Sequence, residues 1–314
     1  MIKQLIIQNV KTNDILEFVA DKPPFVIDTI DWDMPSVSMD SYRVPFQVGT
    51  TLSGVTVGTR KPTVTGYITA NLEQEEILGM TWKEYFEKQE KAIQENKMKL
   101  DKLISVYQDV LIIVGEYFLK ARPTQSPKYS TDMKENNEVL CYFSLEFECY
   151  SPLFYKGSKH VNLAAISGGF HFPLIIPPEK VMFGEIFRRQ SINIENSGDA
   201  DVGCIIRIKA NGGVVKNPKI YNVNTNEFLE FDGVTLDNGD YITIKTDIGE
   251  ENAIKHDIST ATDISIIGNL KPKSSFFQIK QGSNFYAYSV EEDYVNNIEV
   301  SIEFTERYFN LKGM

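Results

Sequence analysis

Cysteine is scarce in this sequence, with three among 314 residues. Cys141 and Cys149 fall on what reads as one continuous strand, so their Cα atoms should lie about 27 Å apart at ~3.4 Å per residue. A disulfide cannot bridge that separation without breaking the strand. Cys204 precedes an apolar run. We therefore expect three reduced, buried thiols, consistent with folding in a cytoplasm.

Long apolar runs are also absent. The longest candidate, Val110–Leu119, is interrupted by Gly115 and Glu116, and a membrane-spanning helix needs about 20 apolar residues. Residues 1–7 lack the apolar stretch and small-residue cleavage site of a secretory signal. The sequence predicts a soluble chain that stays where it is made or leaves by lysis.

Positive charge is in deficit, with 32 Lys and Arg against 43 Asp and Glu and a net charge of -11. This balance argues against direct binding to nucleic-acid phosphates, which needs clustered cations. It is compatible with a surface past which DNA slides without sticking. The simpler interpretation is that the acidic charge keeps the chain soluble.

Recognisable catalytic and metal-binding motifs are missing. The histidines, His160, His171 and His256, are too far apart in sequence for a metal motif on one helix. There is no Gly-x-Ser-x-Gly elbow and no glycine-rich phosphate loop, and Gly58–Lys61 lacks the spacing of one. The sequence predicts no catalytic residue, no cofactor and no metal site.

Two pairs of carboxylates are the remaining candidates for chemistry. Glu146 and Glu148 should lie about 7 Å apart on one strand face, a separation that a glycosidase could use. The opposite face of that strand is apolar, so the pair is better read as the solvated side of a half-buried strand. Asp237 and Asp240 frame an Asn-Gly pair and fit a hairpin turn rather than a Ca²⁺ loop.

The first half of the chain mixes strands and a helix. Lys3–Val10 and Ile15–Val19 are predicted to be strands around a turn at Thr12–Asp14. Gly54–Thr69 has β-branched residues with glycines at the corners, which predicts a hairpin or a pair of long strands.

One helix is predicted from about Thr81 to Ile104, with Thr81 and Glu84 in a capping-box pattern. Its apolar stripe is imperfect, with Gln89 in one of the places, and consists of Trp82, Tyr85, Phe86, Ile93, Leu100 and Ile104. At ~1.5 Å per residue it is about 36 Å long. We expect one face to pack on a sheet and the other to be wet, and favour plain packing over partner binding.

Val139–Tyr150 alternates with a period of two and is predicted to be a strand, stopped by Ser151-Pro152. Residues 158–172 have the composition of a linker. The sequence thus predicts a domain at 1–157 and a second at 173–314.

The second half is almost purely β. Asn-, Asp- and Gly-rich turns separate strands at a spacing that indicates a sandwich. The predicted strands are Ser191–Asn196, Cys204–Ala210, Lys219–Val223, Phe228–Phe231, Tyr241–Lys245, Phe285–Val290 and Glu299–Thr305. The predicted fold class is mainly β, with an α+β N-terminal domain containing one long helix and a β-sandwich C-terminal domain.

Several sequence features, taken in order, carry a family resemblance. They are Gly54-Val55 to Gly66–Ile68, Phe147–Phe154, Ser191–Gly198, Asn217-Pro218, Thr225–Phe228, Leu236–Ile244, Ser274–Ile279 and Gly282–Asn284. In these features the chain resembles the distal tail protein family of long-tailed, siphovirus-type phages, whose domain is shared with many prophage tail components. The resemblance covers nearly the whole chain.

The resemblance implies a non-enzymatic virion protein at the tail tip, assembled in the host cytoplasm. Residues 1–157 would form a hexameric ring that continues the tail tube, with a β-hairpin belting neighbours together. Residues 173–314 would form a galectin-like sandwich that projects outward. The ring would be the baseplate hub for the tail tube protein, the tail-associated lysin or fibre protein and the receptor-binding proteins. DNA would pass through its channel without specific binding, and no cofactor or membrane insertion is implied.

We expect the belt at about Tyr42–Ile68, where strand addition between subunits would satisfy open backbone groups. Arg43, Arg60 and Lys61 are the candidate oligomer-interface residues, through pairing with acidic neighbours. One alternative is a cell-wall carbohydrate-binding module that uses exposed aromatics such as Tyr286 or Tyr288. A less favoured one is a glycosidase or peptidase on the β scaffold, dependent on Glu146 or Asp240.

Overall fold

The computed structural model describes residues 3–72, 80–168, 184–188, 191–290 and 297–311, with side chains at all of these except 165–168 and 184–188. The chain divides into unit 1, residues 1–155 and 309–314, and unit 2, residues 156–308. The described residues are mostly β with one long helix, which confirms the predicted fold class.

Unit 1 is built on a sheet that closes on itself. Its order is β8-β7-β1-β2-β3-β6-β10, and β8 also pairs with β10. Closure leaves these strands without an open edge, whereas β4 and β5 form a separate two-stranded sheet. The strands are β1 Gln4–Asn9, β2 Ile15–Val19, β3 Phe25–Asp31, β4 Val37–Tyr42, β5 Thr51–Val57, β6 Thr63–Thr69, β7 Val110–Val114, β8 Tyr117–Pro123, β9 Lys128–Tyr129 and β10 Leu140–Glu148.

The core of unit 1 follows the alternation of its strands. On β10 every second residue is buried, as predicted: Cys141, Phe143, Leu145 and Phe147. The alternation continues to the buried Cys149, directly after the strand. Facing strands contribute further fully buried side chains: Leu5, Ile7, Phe18, Val64, Ile68 and Leu119. At about 1.5–3 kcal/mol for each fully buried large apolar side chain, this core stabilises the closed sheet.

Helix α1, Trp82–Leu103, packs on β2 and β6. The predicted capping box is present, since the Thr81 amide donates to Glu84 Oε2 at 2.8 Å and the Glu84 amide donates to Thr81 Oγ1 at 3.4 Å. The buried face is shorter than the predicted stripe, because Trp82 is exposed and the buried positions begin at Gln89. No helix in the described ranges has both the length and the apolar character needed to cross a bilayer.

Unit 2 contains two main sheets. One has the order β21-β20-β19-β14-β23-β11, with β12 paired to β11, and the other has the order β13-β22-β16-β17. The strands are β11 Phe154–Gly168, β12 Gly184–Arg188, β13 Ile192–Asn196, β14 Cys204–Ala210, β15 Val215–Lys216, β16 Lys219–Asn222, β17 Phe228–Glu230, β18 Thr235–Leu236, β19 Tyr241–Lys245, β20 Asn252–Asp257, β21 Thr262–Ser265, β22 Gly282–Ser289 and β23 Ile298–Tyr308.

Both sheets of unit 2 contribute to one buried core. Ile206 of β14, Ile244 of β19 and Ile302 of β23 belong to the same cluster as Ile194 of β13 and Ile220 of β16. Two sheets that share a core in this way form a sandwich. Every strand predicted in the second half is present, with ends that differ by a few residues.

The predicted linker at 158–172 needs a correction. Residues 158–168 continue strand β11, and those from Ala164 onward pair with β12. Residues 169–172, including His171, lie outside the described residues, as does the predicted start of the second domain at residue 173.

Candidate assembly interface

The hairpin of β4 and β5 is the most exposed regular structure of unit 1. All six residues of β4 and all but Gly54 of β5 are exposed. Its strands pair with each other and with no other described strand. A two-stranded hairpin is at best marginally stable in water, so this one needs support at its root or from a partner.

One face of the hairpin is apolar. Val37 lies opposite Val57 and Met39 lies opposite Val55, and directly paired residues share a sheet face. The pairs between them, Ser38 with Thr56 and Asp40 with Gly54, put small and polar groups on the other face. The hairpin carries these exposed large apolar side chains: Val37, Met39, Tyr42, Val44, Phe46, Val48, Leu52, Val55 and Val57. An exposed apolar ribbon of this kind is typical of an interaction site.

The tip of the hairpin is held by polar contacts around Gln47. Its amide donates to Val44 O at 3.1 Å, its Oε1 accepts from the Val44 amide at 3.1 Å, and its Nε2 donates to Thr51 Oγ1 at 2.8 Å. Arg43 Nε donates to Gln47 O at 3.3 Å. Phe46 has a φ of +69° and is fully exposed, so the ordered turn projects an aromatic ring into solvent.

The root of the hairpin is organised by Arg60, which is 1% exposed. Its guanidinium lies 4.7 Å from the centroid of the Phe154 ring, and burial lowers its pKa. Its nitrogens donate to four main-chain carbonyls, those of Pro152 at 2.6 Å, Asp33 at 2.9 Å, Trp32 at 3.3 Å and Phe309 at 2.6 Å. Arg60 therefore joins the segment that enters the hairpin to two distant parts of unit 1.

A cavity of about 680 Å³ lies beside this root, within unit 1. Apolar side chains and exposed carboxylates both line it. They are Ile27, Ile30, Trp32, Met34, Phe154 and Leu311, with Asp28, Asp31 and Asp33, and Arg60 and Asn310 complete the lining.

The structure separates the three predicted interface residues. Arg43 is exposed at the tip, and Lys61 is exposed at the root with its Nζ 3.9 Å from Glu148 Oε1. Arg60 is buried and donates to four carbonyls of its own chain, and its pairing with an acidic neighbour in another subunit stays a prediction. In the sequence, an arginine next to a lysine is typical of an exposed position, and no local pattern predicts that Arg60 is buried.

The predicted belt at Tyr42–Ile68 is also shifted. β5 pairs with β4 rather than with β6, and β6 belongs to the closed sheet between β3 and β10. Of the two predictions for Gly54–Thr69, the pair of separate strands is correct and the hairpin is not. The projecting hairpin is Val37–Val57.

The residues named for the carbohydrate-binding alternative do not form an exposed aromatic surface. Tyr286 is fully buried and packs on Phe277, with ring centroids 5.1 Å apart. Tyr288 is partly buried against the same core. The prediction that both are exposed is therefore wrong for Tyr286.

The carboxylates considered for catalysis have structural partners. Glu146 accepts from Lys128 Nζ at 2.9 Å, and Glu148 accepts from Thr59 Oγ1 at 3.0 Å. Asp240 is 2% exposed, accepts from the Asp237 and Ile258 amides and lies 3.1 Å from Lys255 Nζ. Within the described residues no three His, Cys, Asp or Glu side chains come together to hold a metal ion.

Comparison with known proteins bears on unit 2 first. Residues 197–308 match the model of the family described as siphovirus-type tail component, C-terminal domain. The predicted resemblance to tail components is confirmed. Among curated proteins, none matches the chain significantly.

Solved structures extend the likeness to nearly the whole chain. The Dit protein of phage SPP1, described as a paradigm of hub adsorption apparatus in phages that infect Gram-positive bacteria, has a TM-score of 0.61 at 13% identity, covering 96% of this chain and 98% of that chain. The chain therefore has the fold of that protein. Two structures of the activated phage P2 baseplate, with Ca and with Sr, have TM-scores of 0.45 and 0.42 at 10% and 9% identity, each covering 96% of this chain and 98% of theirs.

Proposed function

We propose that this protein is a structural hub of a phage, prophage or tailocin tail tip. Copies of unit 1 assemble into a hexameric ring around the DNA channel, and the hairpin Val37–Val57 reaches onto a neighbouring copy. Unit 2, a galectin-like sandwich, projects outward as a platform. The ring joins the tail tube protein to the tail-associated lysin or fibre protein and to the receptor-binding proteins. It works by scaffolding and by transmitting conformational change rather than by catalysis.

The apolar face of the hairpin carries this proposal. A β-ribbon with Val37, Met39, Val55 and Val57 in solvent is unfavourable in a monomer, because each side chain gains about 1.5–3 kcal/mol when fully buried. The hydrogen bonds of Arg60 fix the root of the hairpin to unit 1, so the ribbon projects from an ordered base. Burial against another subunit removes the apolar face from water and also satisfies the outer strand edges.

Fold likeness and charge support the same assignment. The likeness to the hub protein of phage SPP1 spans both units, and the family match lies in unit 2. A net charge of -11 suits a channel wall that does not retain DNA, since phosphates are held by clustered cations.

Light scattering after size-exclusion chromatography tests the proposal. We expect a closed assembly of the 35.7 kDa chain at high concentration or in the presence of tail partners. A variant in which Asp40–Gly54 is replaced by Asn-Gly, with Val37, Met39, Val55 and Val57 changed to Thr, keeps the root, removes the tip and the apolar face, and should be monomeric. A wild-type chain that stays monomeric at all concentrations and with tail partners present would contradict the proposal.

A further inference from the structure

The cavity at the hairpin root has a mixed chemical character that needs a matching occupant. Trp32 and Met34 give it an apolar wall, and Asp28, Asp31 and Asp33 give it an acidic rim. These three carboxylates form no salt bridge within the described ranges of the chain. They accept instead from the Tyr142 hydroxyl at 3.2 Å and from the main-chain amides of Asp33 and Lys61 at 3.0 and 3.2 Å. A suitable occupant therefore combines an apolar group with a cation.

The tip of the hairpin has the complementary chemistry. Residues 43–51 contain one charged side chain, Arg43, which has no acidic partner among the described residues and donates only to a main-chain oxygen. Phe46 stands fully exposed two residues before the exposed Val48. The left-handed backbone conformation of Phe46 costs about 1–2 kcal/mol, and in this conformation the aromatic ring points into solvent.

A hairpin tip cannot reach the cavity of its own chain. The tip and the cavity lie at opposite ends of β4, a six-residue strand that spans about 20 Å at ~3.4 Å per residue. Contact between them must therefore join two copies. Tip and cavity are different surfaces, so the contact is head-to-tail and generates a closed ring when the rotation between copies closes.

We propose that the hairpin tip of one copy inserts into the root cavity of the next, with Phe46 against Trp32 and Arg43 on the acidic rim of Asp28, Asp31 and Asp33. This inference rests on the proposed ring and identifies the contact that closes it. The root cavity is thus a binding site for a second copy of this chain.

Cysteine cross-linking tests the contact directly. Val48→Cys at the tip and Met34→Cys in the apolar wall of the cavity are made in separate proteins, which are mixed and mildly oxidised. Within one chain these positions are too far apart for a disulfide, which needs Cα atoms within about 7 Å. The native thiols are buried and do not compete. Met133→Cys, at a residue 87% exposed that does not line this cavity, replaces Met34→Cys in the matched control.

Charge reversal tests the polar half of the contact. Arg43→Glu and Asp31→Lys should each weaken self-association about tenfold or more, as expected for a close interfacial charge pair. The double variant restores the pairing between copies and should recover most of the loss. Asp21→Lys makes the same charge change outside the cavity and should leave association unchanged.

The outcomes separate this inference from the proposed function. Selective linkage of Val48→Cys to Met34→Cys, with rescue by the double charge reversal, supports the contact. A ring whose tip links no better to Met34→Cys than to Met133→Cys overturns the contact and leaves the hub intact. Failure to assemble under any condition, with tail partners present, overturns both.

Discussion

Replacing Arg60 by alanine should destabilise unit 1 strongly without touching any exposed surface. The substitution removes a donor from four main-chain carbonyls, two of which lie in distant segments, at Pro152 and Phe309. It also removes the group that packs on the Phe154 ring.

The magnitude follows from opposing terms. A hydrogen bond to a charged group contributes about 1.5–3 kcal/mol, so four of them set a high upper bound. Relief of the desolvation of the guanidinium reduces the loss, and water from the adjoining cavity can reach some of the freed carbonyls. Each carbonyl that stays buried without a donor costs about 1–3 kcal/mol. We expect the free energy of unfolding of unit 1 to fall by about 3 kcal/mol.

Tryptophan fluorescence in urea measures this effect in unit 1 alone, because both tryptophans, Trp32 and Trp82, lie in that unit. With a slope of about 1–3 kcal/mol per molar urea, the midpoint should fall by about 1–3 M. Arg60→Lys should recover only part of the loss, since one ammonium cannot span four carbonyls. Lys61→Ala, at the exposed neighbour, should stay within about 0.5 kcal/mol of the wild type. An unchanged midpoint for Arg60→Ala would refute the structural role.

Three further perturbations have defined outcomes. Thr81→Ala removes the hydroxyl that accepts from the Glu84 amide and leaves the bond from the residue 81 amide to Glu84 in place. It should lower the free energy of unfolding of unit 1 by about 1 kcal/mol, seen as a lower urea midpoint. An unchanged midpoint would mean that the side chain of Thr81 does not stabilise the start of the helix. Phe46→Gly removes an aromatic residue from a left-handed backbone position, so the free energy of unfolding should stay the same or rise by up to about 1 kcal/mol. Light scattering should show weaker assembly of the same variant. Normal assembly would contradict an interface role for the Phe46 side chain. Burial alone would raise the pKa of Glu306, but hydrogen bonds from Lys159, the Ser197 amide and Tyr308 lower it below the ordinary value of 4.5. The ionised carboxylate therefore stabilises the folded chain at neutral pH. This stabilisation is lost as the pH falls below about 4.5 and through the folded-state pKa. Calorimetry from pH 7 to 3 should show a steeper fall for the wild type than for Glu306→Gln, and parallel curves would count against this assignment.

Local patterns predicted the elements whose burial alternates cleanly. On β10 the apolar residues from Cys141 to Phe147 occupy every second position, which identifies the buried face of the strand. The capping pair Thr81 and Glu84 marked the start of α1 to within a residue. In both cases the residues that predict the element lie within the element or next to its end.

Non-local contacts explain where prediction from sequence failed. The choice of β4 as the partner of β5 depends on tertiary pairing, and the exposed β4 has no buried face to mark it. The burial of Arg60 depends on Phe309, 249 residues away. Around Tyr286 both Tyr286 and Ala287 are buried, so no simple alternation reveals which aromatic points inward.

The mass of the intact assembly in solution, measured by light scattering for the wild type beside the variant with Asp40–Gly54 replaced by Asn-Gly and with Val37, Met39, Val55 and Val57 changed to Thr, tests the central claim most directly. The account predicts a closed ring for the wild type and a folded 35.7 kDa monomer for the shortened hairpin. A wild-type chain that remains a monomer with tail partners present, or a shortened variant that assembles equally well, would contradict it.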